Sequence, residues 1–268
     1  MNRIKLTVSY DGTEFRGWAI SPGHRTVQGT LTEAIERAIG QVVEVVGASR
    51  TDSGAHARGQ VCHFDTSVPI ETEKWSKILN RILPGDVAIW GSRPVSNDFH
   101  ARFCAEDRFY RYRIRQSGKD PLAGRYAYEY GRELNVRRMQ EAAGLLVGKH
   151  DYLAFTEELD PSVENTTRTL RQVDVYEAEP ESFGVPGREI WVDVVGTAFL
   201  RGMMRRMAGA LLEVGAGKQP VDTIRDLLTD KRSEMHWPIV LPAKGLCLMR
   251  VRYGDPPRDC RNSGSEDD

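Results

Sequence analysis

The sequence predicts an α+β protein made of two ferredoxin-like halves. Three observations carry this. Apolar residues alternate in short runs, as in half-buried strands. Between those runs lie stretches with apolar residues at helical spacing. The order of the two kinds is strand, helix, strand, strand, helix, strand, and it occurs twice. No sequence identity links the halves, so the repeat is one of pattern only.

The elements follow in order. Residues 3–10 alternate Ile4, Leu6, Val8 and Tyr10 as a strand. The loop "DGTEFRGWAISPGHR" leads into a helix over 26–39, with Val27, Leu31, Ile35 and Ala38 on one face. The valine-rich run 41–48 reads as a strand, and 60–66 as another after a polar loop. A helix over 72–82 carries Trp75, Ile78, Leu79 and Ile82 and ends at Pro84-Gly85. Residues 86–95 close the first set as a strand. The second set is a strand at 107–115, a helix at 135–147, strands at 168–178 and 189–197, a helix at 199–214 and a strand at 245–253. A further helix at 220–230 is inserted before that last strand. The expected organisation is an N-terminal subdomain 1–103, a C-terminal subdomain 104–253, a cleft where they meet, and a disordered polar tail 254–268.

Bulk composition narrows the class. Of 268 residues, 40% are hydrophobic and 28% charged, which suits a packed core. No apolar run approaches the roughly 18 residues of a membrane span, and the N-terminus enters a strand pattern directly. The expectation is a cytoplasmic protein with no membrane partner. Cys62, Cys104, Cys247 and Cys260 form no C-x-x-C pair, and the six histidines show no ligand spacing, so no metal site is expected. The net charge of −1 argues against a strongly basic nucleic-acid binder. However, the last fifteen residues hold two arginines and five acids, leaving the rest at +2. Arginine also supplies 29 of the 37 basic residues, and its planar fork suits phosphate and base stacking.

Three stretches could carry chemistry. The first is "VGASRTDSGAHARGQVCHF", residues 46–64, with a lone acid, Asp52. Asp52-Ser53-Gly54 matches the D-[ST]-G of aspartic proteases, but that chemistry needs two acids sharing a proton. Arg50 beside Asp52 favours an ionised carboxylate instead, and no second D-[ST]-G occurs. A loop or capping aspartate is the plain alternative. A charged carboxylate suits attack on an electrophilic carbon. The second is "DRFYRYRIR", residues 107–115. In a strand, Tyr110, Tyr112 and Ile114 share one face, and Phe109, Arg111, Arg113 and Arg115 the other. One face offers base stacking and the other phosphate contacts, against the plain reading of core tyrosines and a solvated arginine edge. The third is the helix in "TAFLRGMMRRMAGALLEVGAG", 197–217, where Arg201 and Arg205 lie four apart on one face. It reads as a core helix with a wet basic edge, or as one that presents Arg205 to a carboxylate.

Taken together, these residues resemble the tRNA pseudouridine synthase A family over roughly residues 3–253. "YDGTEFRGW" (10–18), "RTVQGTLTEAI" (25–35), "RTDSGAHARGQVCHF" (50–64), "ILPGDVAIW" (82–90), "FHARFCAEDRFYRY" (99–112), "FLRGMMRRMAGALLEVGAGK" (199–218) and "PAKGLCLMRVRY" (242–253) are similar to the family's ordered motifs. The resemblance implies an isomerase. It would turn uridine into pseudouridine at roughly positions 38–40 of the tRNA anticodon stem-loop, where the target is stacked or paired and must be flipped out, without cofactor or metal. It implies Asp52 as nucleophile, with Arg50 and Arg205 as basic residues around it and Arg205 preferred as its ion-pair partner. It implies Tyr110 as the contact to the target base. His56, Arg58, Arg102 and Arg108 are expected as further substrate-binding positions, with Gly54 and His56 also shaping the loop. It implies a homodimer. Departures from the family pattern fall at Ala19, Ser49 and Ala55 and at "IVLPAKGL". They leave open a divergent paralogue acting on another RNA, or a non-catalytic RNA-binding relative.

Overall fold

A computed structural model describes residues 1–116, 118–156, 165–178, 187–229 and 237–254. The chain is α+β and divides into two compact units. Of the described residues, the first takes Met1–Arg108 and Cys247–Gly254, and the second those within Phe109–Leu246. Among the described residues, no helix is long and apolar enough to cross a membrane.

The first unit is built on β1 (Asn2–Tyr10), α1 (Val27–Ile39), β2 (Val46–Gly47), β3 (His56–Thr66), α2 (Lys74–Leu79) and β4 (Val87–Val95). β1 lies between β3 and β4 and is antiparallel to both. Its alternation decides its faces: Ile4, Leu6, Val8 and Tyr10 are all buried in the core. Against that core α1 sets Val27, Leu31, Ala34 and Ile35. The helix starts where Thr26 accepts a hydrogen bond from the Gly29 amide, and stops at Gly40 in the left-handed region. α2 contributes Trp75 and Leu79. The last strand, β10 (Leu246–Tyr253), runs parallel to β3, pairing Cys247 with His56 and Leu248 with Ala57.

The second unit contains β5 (Ala105–Gln116) from Phe109 onward, β6 (Tyr128–Glu129), α3 (Val136–Leu145), β7 (Gly148–Asp151), β8 (Thr167–Ala178), β9 (Arg188–Gly196), α4 (Met203–Gly215) and α5 (Thr223–Thr229). Its strand order is β5-β9-β8-β7, with β6 added parallel to β5. α4 is the core helix, with every residue buried except Arg205 and Arg206. It begins at Met203 rather than at 199, because Gly202 takes φ 70° as its N-cap.

The elements depart from the sequence expectation in four places. Residues 41–45 are irregular, and only Val46–Gly47 pair. The valines there have strand propensity, yet Val42 is 91% exposed and packs against nothing that would hold a strand. α2 is six residues long and closes in tight turns from Arg81 to Ile78 and Ile82 to Leu79. β6 and β7, of two and four residues, were too short to read from periodicity. The closing strand, expected with the second half, is counted from Cys247 on with the first. The tail after Gly254 lies outside the described residues.

Candidate active site

The Asp52 loop is held from several sides by the first motif of the chain. The Tyr10 hydroxyl, at the end of β1, lies 2.7 Å from the Thr51 hydroxyl in a buried hydrogen bond. The Trp18 amide donates to the Thr51 carbonyl at 3.1 Å, and the Gly54 amide to the Phe15 carbonyl at 3.2 Å. The loop closes on itself as a turn, the Ala55 amide donating to the Asp52 carbonyl at 3.1 Å. Gly54 takes φ 80°, which suits glycine in that turn. Two glycines make the approach possible. A Cβ on Gly12 would overlap the Ala55 carbonyl, and one on Gly17 would come within 2.7 Å of the Thr51 carbonyl. Below, the Gln60 side-chain Nε2 donates to the Ser49 carbonyl at 2.7 Å. The backbone around Asp52 is therefore fixed, while its side chain is half-buried. Sequence reading found the acid but missed this cradle. The signal was the crowding of Tyr, two Gly and Trp into residues 10–18.

The other expected residues of the first unit differ in role. Arg50 and Arg58 are exposed. Arg102 is exposed, with its guanidinium 5.4 Å from the Phe103 ring centre. His56 is buried beneath the loop, and its Nδ1 accepts from the Gly12 amide at 3.0 Å. The same nitrogen faces Asp11 Oδ1 at 3.2 Å, and would donate to it when protonated. His56 thus braces the cradle. Arg108 is also buried, and its guanidinium donates to the carbonyls of Ala48, Arg102 and Ala105. It ties the start of β5 to the strand end that leads to the Asp52 loop.

In the second unit Tyr110 and Tyr112 are buried. The Tyr110 ring meets Phe199 edge to face at 4.8 Å. Arg205, on α4, donates through Nε to the Leu241 carbonyl at 2.7 Å. The next carbonyl, Pro242, accepts from the Tyr112 hydroxyl at 2.7 Å. Burial pushes the Tyr112 phenol well above its usual range, opposed in part by the positive Arg205. The segment 241–245 therefore orients both side chains, and Gly245 is needed because a Cβ there would sit 2.7 Å from the Tyr112 ring.

The arginine face of β5 is not a free phosphate surface, contrary to one reading of its pattern. Arg111 grips Asp193 with two bonds of 2.7 Å and lies 3.7 Å over the Trp191 ring. Arg113 pairs with Glu189 at 2.9 Å. Arg115, fully buried, reaches Asp120 at 3.1 Å and Glu189 at 3.5 Å. The partners were visible in the sequence: Glu189, Trp191 and Asp193 repeat at the same two-residue spacing as the arginines. Asp52 belongs to the first unit, and Tyr110 and Arg205 belong to the second.

Comparison with known proteins now bears on this arrangement. A family model described as tRNA pseudouridine synthase matches residues 6–104 and 142–254. The tRNA pseudouridine synthase A of Syntrophotalea carbinolica is 37% identical over 97% of this chain and 99% of its own. That of Maridesulfovibrio salexigens is 38% identical over 95% and 92%. That of Solidesulfovibrio magneticus is 40% identical over 96% and 93%. Among solved structures, the archaeal box H/ACA sRNP Nop10-Cbf5 complex gives a TM-score of 0.32 at 9% identity, over 78% of this chain and 44% of that one. That likeness is too slight to build on. The identity with the relatives runs through both units and nearly end to end: the chain belongs to the tRNA pseudouridine synthase A family.

Proposed function

We propose that this protein isomerises uridine to pseudouridine in the anticodon stem-loop of tRNA, with Asp52 as the nucleophile. The observation that carries the reading is the Asp52 loop. A half-buried carboxylate stands on a turn whose backbone is fixed by Tyr10, Phe15, Trp18 and two close-packed glycines. A side chain that only capped a loop would not need this much support. Near-full-length identity to relatives named tRNA pseudouridine synthase A supplies the substrate class.

The reaction rearranges one molecule. The target nucleotide leaves the stack, at a cost of a few kcal/mol. Asp52 attacks either C1′ of the ribose or C6 of the base. The C1′–N1 bond breaks, the uracil turns, and C1′ bonds to C5; the bond from Asp52 to C1′ or C6 breaks in turn, returning the free carboxylate. The hydrogen of C5 is lost to solvent and N1 takes up another, so the atoms balance without an added reactant. Fixed loop geometry matters here because a misplaced nucleophile loses the advantage of proximity. Tyr110 and Arg205, which the sequence resemblance counts with the same site, are proposed to serve the target base and the nucleophile respectively. The working form is proposed to be a cytoplasmic homodimer, which sedimentation velocity on the purified protein tests.

The deciding experiment uses an unmodified tRNA transcript and maps pseudouridine by mass spectrometry. The wild type should place it in the anticodon arm, and Asp52→Asn should give none. No product from the wild type, or equal product from Asp52→Asn, overturns the proposal.

A further inference from the structure

The face of the first unit's sheet opposite its helices carries two cations without a carboxylate partner among the described residues. On β1, the face opposite the core presents Arg3, Lys5 and Thr7. Arg3 is engaged: it grips Asp65 with two bonds and donates to the carbonyls of Asn97 and Phe99. Lys5 is different. It is 5% exposed, and its directly opposite neighbour on β4 is Arg93. Like charges placed directly across two strands repel. No acid pairs with Lys5 or Arg93 among the described residues. Instead the Lys5 ammonium lies 4.0 Å over the Tyr253 ring and 5.3 Å from that of Phe99. Those rings stabilise a cation but leave its three N–H groups to point elsewhere. Burial and the Arg93 charge lower the Lys5 pKa to about 8, as expected of an ammonium short of anions.

The space these cations face is a pocket of about 360 Å³ lined by Lys5, Thr7, Gly91, Ser92 and Arg93. Beside it β4 has a bulge. Arg3 to Thr7 pair with Val95 to Gly91, and then Val8 pairs with Ile89, so Trp90 is an extra, unpaired residue. Bulges re-aim side chains. Trp90 is 66% exposed on the edge strand of the unit. An exposed indole next to a two-cation pocket is the combination that binds a nucleotide of unpaired RNA: stacking for the base, positive charge for the backbone.

We propose that Lys5 and Arg93 bind a phosphodiester of the RNA substrate, with Trp90 as the platform for a neighbouring base. This rests on the reading that the protein acts on tRNA. The bound nucleotide is not the one that reacts. β1 advances about 3.3 Å per residue, which puts Lys5 about 17 Å from Tyr10, the residue that holds the Asp52 loop. The pocket is thus an outlying anchor that sets how the RNA lies on the first unit.

The test measures affinity for a tRNA transcript across a salt series, with kcat and KM for pseudouridine formation, for the wild type, Lys5→Met, Arg93→Met and Trp90→Ala. Each cation variant should weaken binding several-fold at 0.1 M salt, reduce the slope of log affinity against log salt by about 0.7–0.9, raise KM and leave kcat unchanged. Trp90→Ala should weaken binding about tenfold, with the slope kept. The Met variants retain the apolar stem, so their melting temperatures should match or exceed that of the wild type. Unchanged affinity and slope would overturn the proposal, as would a lowered melting temperature or an altered oligomeric state in the cation variants. Inorganic phosphate is titrated in parallel. Phosphate binding that Lys5→Met abolishes while RNA affinity stays the same would make this a free-anion site and overturn it too. If the wild type binds tRNA with the expected slope changes but forms no pseudouridine, the anchor stands and the catalytic reading falls.

Discussion

Two buried charges illustrate opposite solutions at the scale of single residues. Glu189 has no exposure, yet it accepts from Arg113, Arg115 and the Trp191 indole. Each oxygen is used, so the charge is tolerated inside the unit. Glu189→Ala would leave Arg115 buried with one anion fewer, and should cost about 3–5 kcal/mol, read by urea denaturation. Lys5 has no such partners among the described residues. Its folded pKa, about 8, lies below the 10.5 of an unperturbed lysine. Between those values the unfolded chain binds more protons than the folded one, so stability rises with pH across that window. The penalty is fully present below about pH 8 and is relieved by about pH 10.5. The ammonium lines a pocket that solvent can screen, so the gain should be modest, about 1 kcal/mol. Lys5→Met should remove this pH dependence and stabilise the protein by a similar amount at pH 7. A wild-type stability curve that is flat or falling over that window, relative to Lys5→Met, would contradict the account.

Among the elements, the loop from Asp11 to Trp18 does the most to fix the candidate nucleophile. Tyr10→Phe removes one buried hydrogen bond to Thr51 and should cost about 1 kcal/mol of stability. Its larger effect should be on kcat, since the Asp52 loop would lose a constraint while RNA affinity is kept. Gly12→Ala is harsher, because its Cβ would occupy the space of the Ala55 carbonyl. The loop must shift, so that variant should lose activity on a tRNA transcript even if circular dichroism still reports a folded protein. How far such features were legible depends on what sets them. β1, α1, β8 and β9 were readable because their apolar periods are long and one face of each is buried. The run 41–48 misled because valine propensity is local, whereas a strand needs a neighbour, and the chain there supplies one only from Val46. Asp52 stood out as a charged residue in a polar turn. The cradle around it did not, since hydrogen bonds over forty residues of separation leave no periodic trace. The β5 arginines were over-read for the same reason: their spacing showed a shared face, and only the facing strand shows that the face is already neutralised.

For the molecule as a whole, charge is the property that sets its encounter with RNA. The formal net charge is −1, and the last fifteen residues contribute +2 − 5 = −3, so the preceding chain carries −1 + 3 = +2. Many of its arginines are engaged internally with Asp65, Asp86, Glu189 and Asp193. Pairs of this kind add no net charge, and the acidic segment on the same chain opposes the remaining cations at any distance within a Debye length. The last described strand, β10, ends at Tyr253, so a chain ending at Gly254 keeps every described element. That shorter chain should associate with tRNA faster at low salt, by a few-fold, while dissociation changes little. The advantage should vanish above about 0.3 M salt, where the Debye length falls to a few ångströms. Stopped-flow binding of a fluorescent tRNA transcript to both chains, at low and high salt, separates the cases. A gain that persists at high salt would mean that the tail acts by occupying an RNA contact rather than through its charge.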